Sequence, residues 1–243
     1  MHGAVRGPYS DYAAPPIYIT PDRKKPGVRF SRTELLQLAV AILALSLALT
    51  LLFARPYLFG QTSAPLDGLT VGLWLAISVV AVSTGVGLHE IAHKAVAQRY
   101  GHWAEFRYNP MGLVLAFVFA AMGFLYGAPG ATWINGMVTR EQNGRISAAG
   151  PLSNIALALL FLGILAALNA VALGGTAVAI VILVANFAAF INLILAGFNM
   201  IPVMPLDGAK VWSWNKLAYG AIVGTVVALL ALGFLGGLLS IGD

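Results

Sequence analysis

The sequence contains no cysteine. No disulfide can form, and a metal site must be assembled from His, Asp or Glu because there is no thiolate. Charge is scarce as well. Only 9% of the 243 residues are Asp, Glu, Lys or Arg, where soluble domains carry about 25%. With 59% hydrophobic residues the chain has too little polar surface to stay dissolved, so its expected solvent is the bilayer. The net charge of +5 does not point to nucleic acid. The basic residues sit at the ends of apolar runs, where membrane topology places them. No internal repeat is evident.

What is present is a series of long apolar segments, enough for about six at ~20 residues per span. Residues 1–34 are polar, with Pro15, Pro16, Pro21 and Pro26 and the basic cluster Arg23, Lys24, Lys25. They read as a flexible cytoplasmic tail and an orientation signal, not as a signal peptide. The membrane-embedded unit then runs over 35–243, with a core at about 69–215. Spans are expected near Leu35–Ala54, from about Leu69 through the motif below, and near Pro151–Leu173, Thr176–Ile201 and Leu217–Leu239. Lys94, Arg99 and Arg107 mark a return to water, and Gly127–Ala149 is a mixed segment.

His89-Glu90-Ile91-Ala92-His93 has the HExxH pattern. On a helix, residues four apart share a face at about 5–6 Å between Cβ atoms. Two imidazoles can therefore hold one zinc ion while the Glu reaches its water as a base. The chain has only four His and four Glu, and three of those eight fall within these five positions. Ionisable residues in an apolar span are costly and functional by default. A catalytic zinc usually takes three protein ligands and keeps one open position, so a third is needed. His2 lies in the tail, and His102, beside Trp103, suits an interface. Asp207 is the better candidate. Pro202 and Pro205 break a helix just before it, Gly208 permits a tight turn, and unwound backbone at membrane depth belongs in a wet cavity. The same segment also reads as a span ending in a solvated Asp.

HEIAH on one span and Asn199-Met200-Ile201-Pro202-Val203-Met204-Pro205-Leu206-Asp207-Gly208 on a later one resemble the site-2 protease family of intramembrane zinc metalloproteases. Ala149-Gly150-Pro151-Leu152-Ser153-Asn154 matches that family's glycine–proline–asparagine pattern. The resemblance covers about residues 85–215. It implies one zinc ion held by His89, His93 and Asp207, with Glu90 as catalytic base. It also implies a three-span core near 69–97, 150–173 and 176–201, and a small sheet between the second and third core pieces. No PDZ- or CBS-like module is legible. Asn154 and Asn199 are candidates for contact with the substrate backbone or the oxyanion, or for bonding between helices. Gly85 and Gly87 read as close helix packing.

Charge topology supplies a separate test. The basic tail places the N-terminus in the cytoplasm. Asp207 reaches the metal of His89 and His93 only if the chain crosses an even number of times between them. If Met111–Tyr126 does not span, Arg55 alone of the fourteen basic residues faces outward. The expected fold is therefore an all-α polytopic membrane protein with five to six transmembrane helices. Met111–Tyr126 would be a membrane-associated β or re-entrant element, with strands preferred and Ala131–Val138 as another strand.

The expected reaction is hydrolysis of a peptide bond in a transmembrane helix, and the expected partners are a transmembrane protein or peptide substrate and the lipid bilayer. The rivals are a zinc transporter, which usually shows repeats and several sites, and a catalytically silent scaffold, whose signature would be a lost Glu or ligand. A metalloprotease with Glu as third ligand would need Glu105 or Glu141 in a comparable context, and neither has one.

Overall fold

The computed structural model describes residues 27–171 and 174–239. The basic cluster Arg23–Lys25, His2 and most of the expected tail lie outside the described residues. The elements are α1 (Arg32–Leu58), α2 (Gly68–Val82), a π-helical turn (Ser83–Leu88), α3 (His89–Arg99), β1 (Trp103–Tyr108), α4 (Pro110–Met122), β2 (Gly130–Asn135), α5 (Arg140–Val171), α6 (Thr176–Asn199), α7 (Asp207–Trp214) and α8 (Lys216–Leu235). Five helices are long and apolar enough to cross a membrane: α1, the continuous rod Gly68–Arg99, α5, α6 and α8. The protein is thus an all-α polytopic membrane protein with a small β element, as expected.

Local chemistry sets the helix ends. Ser31 caps α1 by accepting from the Glu34 N–H. Asp67 caps α2 through the Thr70 N–H and hydroxyl, bonds that hold its carboxyl below the usual carboxylate range. The helices close on small and branched residues. Ala158 and Leu162 of α5 share an apolar cluster with Ala185, Ala189 and Leu193 of α6, since short side chains let helix backbones approach in lipid.

Several expectations are corrected. Met111–Tyr126 is not a strand. Asn109 caps a helix by accepting from the Gly112 N–H, Pro110 occupies its first turn, and Gly123 ends it with φ 108°. The apolar run LVLAFVF suits a strand by composition, but the Asn-Pro start and glycine stop select a helix. At 13 residues it is about 20 Å long, short of the ~30 Å hydrocarbon core. It starts beside α1, where the Tyr108 N–H donates to Gln37 (3.2 Å), and ends where Arg55 Nε donates to the Ala121 carbonyl (3.0 Å). The chain then returns without regular structure, packed so closely that a Cβ on Gly112 would lie 1.8 Å from the Ala128 oxygen. The stretch is the re-entrant alternative. Its return leads into β2, which overlaps the strand expected at Ala131–Val138 but ends at Asn135, and pairs antiparallel with β1, a strand not among those expected. The polar run after Arg140, expected as mixed, is the first part of α5.

Lys94 is the second correction. It does not mark a return to water: it is fully buried and ion-paired with Glu34 of α1. Glu34 also accepts from the Phe106 N–H of β1 (3.0 Å), and the Lys94 ammonium lies 4.3 Å from the Phe30 ring centroid. The polar tail therefore ends earlier than residue 34. Phe30 and Glu34 are built into the fold, and α1, the helix carrying the motif and the sheet are joined by one buried pair. Removing one partner of such a pair costs about 3–5 kcal/mol, because the other charge is stranded. Lys94→Met is expected to lower the thermal unfolding midpoint in detergent micelles, and the Glu34→Gln/Lys94→Met double variant to recover most of the loss. Equal loss in both would show that the charge pair is not the cause.

Candidate active site

The rod Gly68–Arg99 changes geometry immediately before the motif. Its π-helical turn holds Gly85 and Gly87. A Cβ on Gly85 would meet Leu195 at 2.7 Å, and one on Gly87 would meet Ile42 at 3.1 Å, so both glycines serve close packing. π-bulges recur at functional sites because they re-aim the residues that follow. Here His89 and His93 project toward α5, and both are buried.

The third member arrives from the other end of the chain. α6 stops at Asn199, the backbone unwinds through residues 200–206, and α7 begins at Asp207. Gly208 lies in the first turn of α7, not in a tight turn. Its need is close approach, since a Cβ there would lie 2.2 Å from the Met200 oxygen. The His89 and His93 Nε2 atoms are 3.0 Å apart, and Asp207 Oδ2 lies 3.3 and 3.0 Å from them. A tetrahedral ion with ligands at about 2.0–2.1 Å has ligand–ligand edges of about 3.3 Å. Glu90 also offers a carboxylate oxygen within the cluster.

Hydrogen bonds fix what these atoms present. Asn154 Nδ2 donates to the Gly85 carbonyl (2.9 Å), so its Oδ1 must be the atom facing His89 Nδ1 (2.8 Å). His93 Nδ1 faces the Ile146 carbonyl (2.7 Å). Both partners only accept, so both Nδ1 atoms carry hydrogen, and each ring in its neutral form presents the Nε2 lone pair to a ligand. Two Nε2 atoms and a carboxylate oxygen therefore converge on one point. This donor set fits a cation. The space fits too: a Cβ on Gly150 would stand 2.5 Å from both Nε2 atoms, so only glycine leaves room there. Lys210 lies 3.6 Å from Asp207 Oδ1 and steadies the oxygen that does not face the imidazoles.

Glu90 is half-buried. Its Oε2 accepts from the Thr132 backbone N–H (2.8 Å) and lies 2.9 Å from the Thr132 hydroxyl. His89, Glu90, His93 and Asp207 line a cavity of about 900 Å³, shared with the re-entrant return, β2, Asn199 and Lys210.

The two asparagines part ways. Asn154 is fully buried with both ends of its amide engaged, so it orients His89 and does not face a substrate. Asn199 borders the cavity, with Nδ2 donating to the Leu195 carbonyl (2.9 Å). His102 stands apart, 3.2 Å from Gln142. Thr132, Ile146 and Lys210 went unnoticed in the sequence. Only Lys210, one turn from Asp207, carried a signal.

A protein of Methanocaldococcus jannaschii named a putative zinc metalloprotease is 36% identical over 198 residues, covering 81% of this chain and 91% of that protein. The putative zinc metalloprotease Rip3 of Mycobacterium tuberculosis is 34% identical over 132 residues, which is 53% of this chain and 28% of Rip3. No family model matches the chain, and no solved structure matches it.

Two substitutions test the centre without reference to catalysis. Gly150→Ala is expected to abolish stoichiometric metal binding. Asn154→Ala is expected to weaken it about 10- to 100-fold, the usual effect of losing a ligand's outer partner. Metal content after equilibrium dialysis is the readout, and normal content in both would break the assignment.

Proposed function

We propose that this chain, which belongs to the site-2 protease family of zinc metalloproteases, hydrolyses a peptide bond in or near a transmembrane helix of another membrane protein, in regulated intramembrane proteolysis. One observation carries the reading: His89, His93 and Asp207 converge in a protein of five membrane-length helices, with a carboxylate, Glu90, beside them in the same cavity. His89, His93 and Asp207 would hold one zinc ion. When bound, zinc supplies Lewis acidity that brings the pKa of water to about 7 and polarises a carbonyl.

The chain's own residues do the rest. Glu90 takes the proton of the attacking water at its carboxylate and returns it to the leaving amine nitrogen. Asn154 and Ile146 keep the imidazoles in the tautomer that leaves Nε2 free. Asn199, which borders the cavity, is the asparagine that would meet a substrate. The apolar walls of the cavity, including Leu115 and Phe198, limit water around the reaction. The N-terminus is cytoplasmic and the site opens toward the cytoplasmic half of the bilayer, an orientation supported by the distribution of Lys and Arg.

A helix hides its carbonyls in its own hydrogen bonds, so the substrate must unwind before it is cut, and its freed backbone groups need partners. The outer edge of β2 borders the cavity and supplies them by strand addition. Glu90→Gln is expected to keep zinc and lose cleavage of a transmembrane substrate by several orders of magnitude; cleavage at the wild-type rate would sink the reading. Ile134→Pro removes an outward N–H of β2 but no bond of the β1–β2 ladder. It is expected to reduce cleavage about 10-fold or more with zinc retained, measured as product formation in proteoliposomes. Unchanged cleavage would remove the edge from the mechanism.

A further inference from the structure

The two-stranded sheet has two outer edges, and a glutamate sits on each. In an antiparallel pair, facing residues that do not exchange hydrogen bonds turn their backbone groups away from each other. Phe106 and Thr132 face each other in the register. The Phe106 N–H donates to Glu34 Oε1 (3.0 Å) on the β1 edge, and the Thr132 N–H donates to Glu90 Oε2 (2.8 Å) on the β2 edge.

The two edges differ in kind. That of β1 is engaged by other elements at each outward-facing residue: besides Phe106, the Tyr108 N–H donates to Gln37 (3.2 Å), and the Ala104 carbonyl accepts from Gln98 (3.3 Å). Its glutamate is buried and ion-paired with Lys94. The β2 edge turns the backbone groups of Gly130, Thr132 and Ile134 outward, and these residues line the cavity. Its glutamate is half-buried, and among the described residues no Lys or Arg forms an ion pair with it. One edge is sealed by a fixed charge and the other is covered by a releasable one.

Resting on the protease reading above, we propose that an extended substrate pairing with β2 takes the Thr132 N–H from Glu90 and thereby frees the carboxylate for proton transfer. A strand added to this edge bonds the outward groups of alternate residues, and the Thr132 N–H is central among them. That hydrogen cannot serve both acceptors at full strength. As the substrate carbonyl accepts it, the bond to Glu90 Oε2 breaks. The Thr132 hydroxyl, 2.9 Å from Oε2 and 3.0 Å from the Glu90 carbonyl, remains as a tether. Docking and release of the base are then one exchange of hydrogen bonds, and Thr132 is a positioning residue.

The test uses the full zinc-loaded chain in two inactive forms. Glu90→Gln keeps an acceptor for the Thr132 N–H; Glu90→Ala does not. The probe is a fluorophore-labelled synthetic transmembrane peptide that the wild type cleaves. Glu90→Ala should bind it about 5-fold tighter than Glu90→Gln, the worth of one net hydrogen bond. The difference should vanish when Thr132→Pro removes the shared donor. Equal affinities with Thr132 in place, or an advantage that survives Thr132→Pro, would overturn the proposal. Exchange of the Thr132 amide decides the matter even if the proline variant does not fold. It should be slow in peptide-free Glu90→Gln, at least 10-fold faster in Glu90→Ala, and slow again in Glu90→Ala once peptide binds. An amide that stays fast with peptide bound would also overturn it. If the wild type cleaves no transmembrane peptide, the protease reading falls and takes the proposal with it. If cleavage is normal and the affinities are equal, only the proposal falls.

Discussion

Two imidazole nitrogens and a carboxylate oxygen, held about 3 Å apart among buried groups, are placed to share one cation. Much of the surrounding structure keeps them in that relation. The Asn154 amide and the Ile146 carbonyl accept the hydrogens of the two Nδ1 atoms and so fix the tautomers. Gly150 withholds the one Cβ that would fill the gap. The unwound stretch between α6 and α7 carries Asp207 back to a helix more than a hundred residues earlier in the chain. Binding of an ion to a preformed cluster of this kind adds to the stability of the fold.

The second constraint is that lipid supplies no hydrogen-bond partners. The irregular parts of this protein obey it in a consistent way. The return from the re-entrant helix, the two short strands and the segment before Asp207 border the cavity or pack on a helix. Polar side chains of α1 and α3 close the β1 edge, where water cannot be counted on. The β2 edge is left to the cavity, and the chemistry of the site and the exposure of that edge occupy the same space.

The sequence made the metal cluster and the helical framework legible because both rest on short-range rules. Spacing of four puts His89 and His93 on one face, and long apolar runs read as spans. Pairing the motif with Asp207 needed the family resemblance and the parity of crossings, since nothing local links the two. Met111–Tyr126 reads as a strand or a re-entrant element; its composition favours the strand, but its two ends, Asn109-Pro110 and Gly123, favour a helix, and the re-entrant form is the one adopted. Lys94 was misjudged because a lysine at the end of an apolar run ordinarily meets water. Its counter-charge, Glu34, lies sixty residues away, and no pattern along the chain announces the pair. Thr132 was invisible for a related reason: its contribution is chiefly a backbone N–H, which every residue but proline owns.

The Glu34–Lys94 pair also bears on how such a protein can be inherited. Lys94 follows a metal-site histidine directly, and its charge is balanced from α1, a helix outside the three-span core that the motifs define. The motif-bearing spans therefore do not form a cassette that recombination could set behind an arbitrary first helix. A transplanted core would import an ammonium with no counter-ion and a sheet with one edge unsealed. The portable unit includes the first span, whose Phe30 and Glu34 lie well upstream of HEIAH.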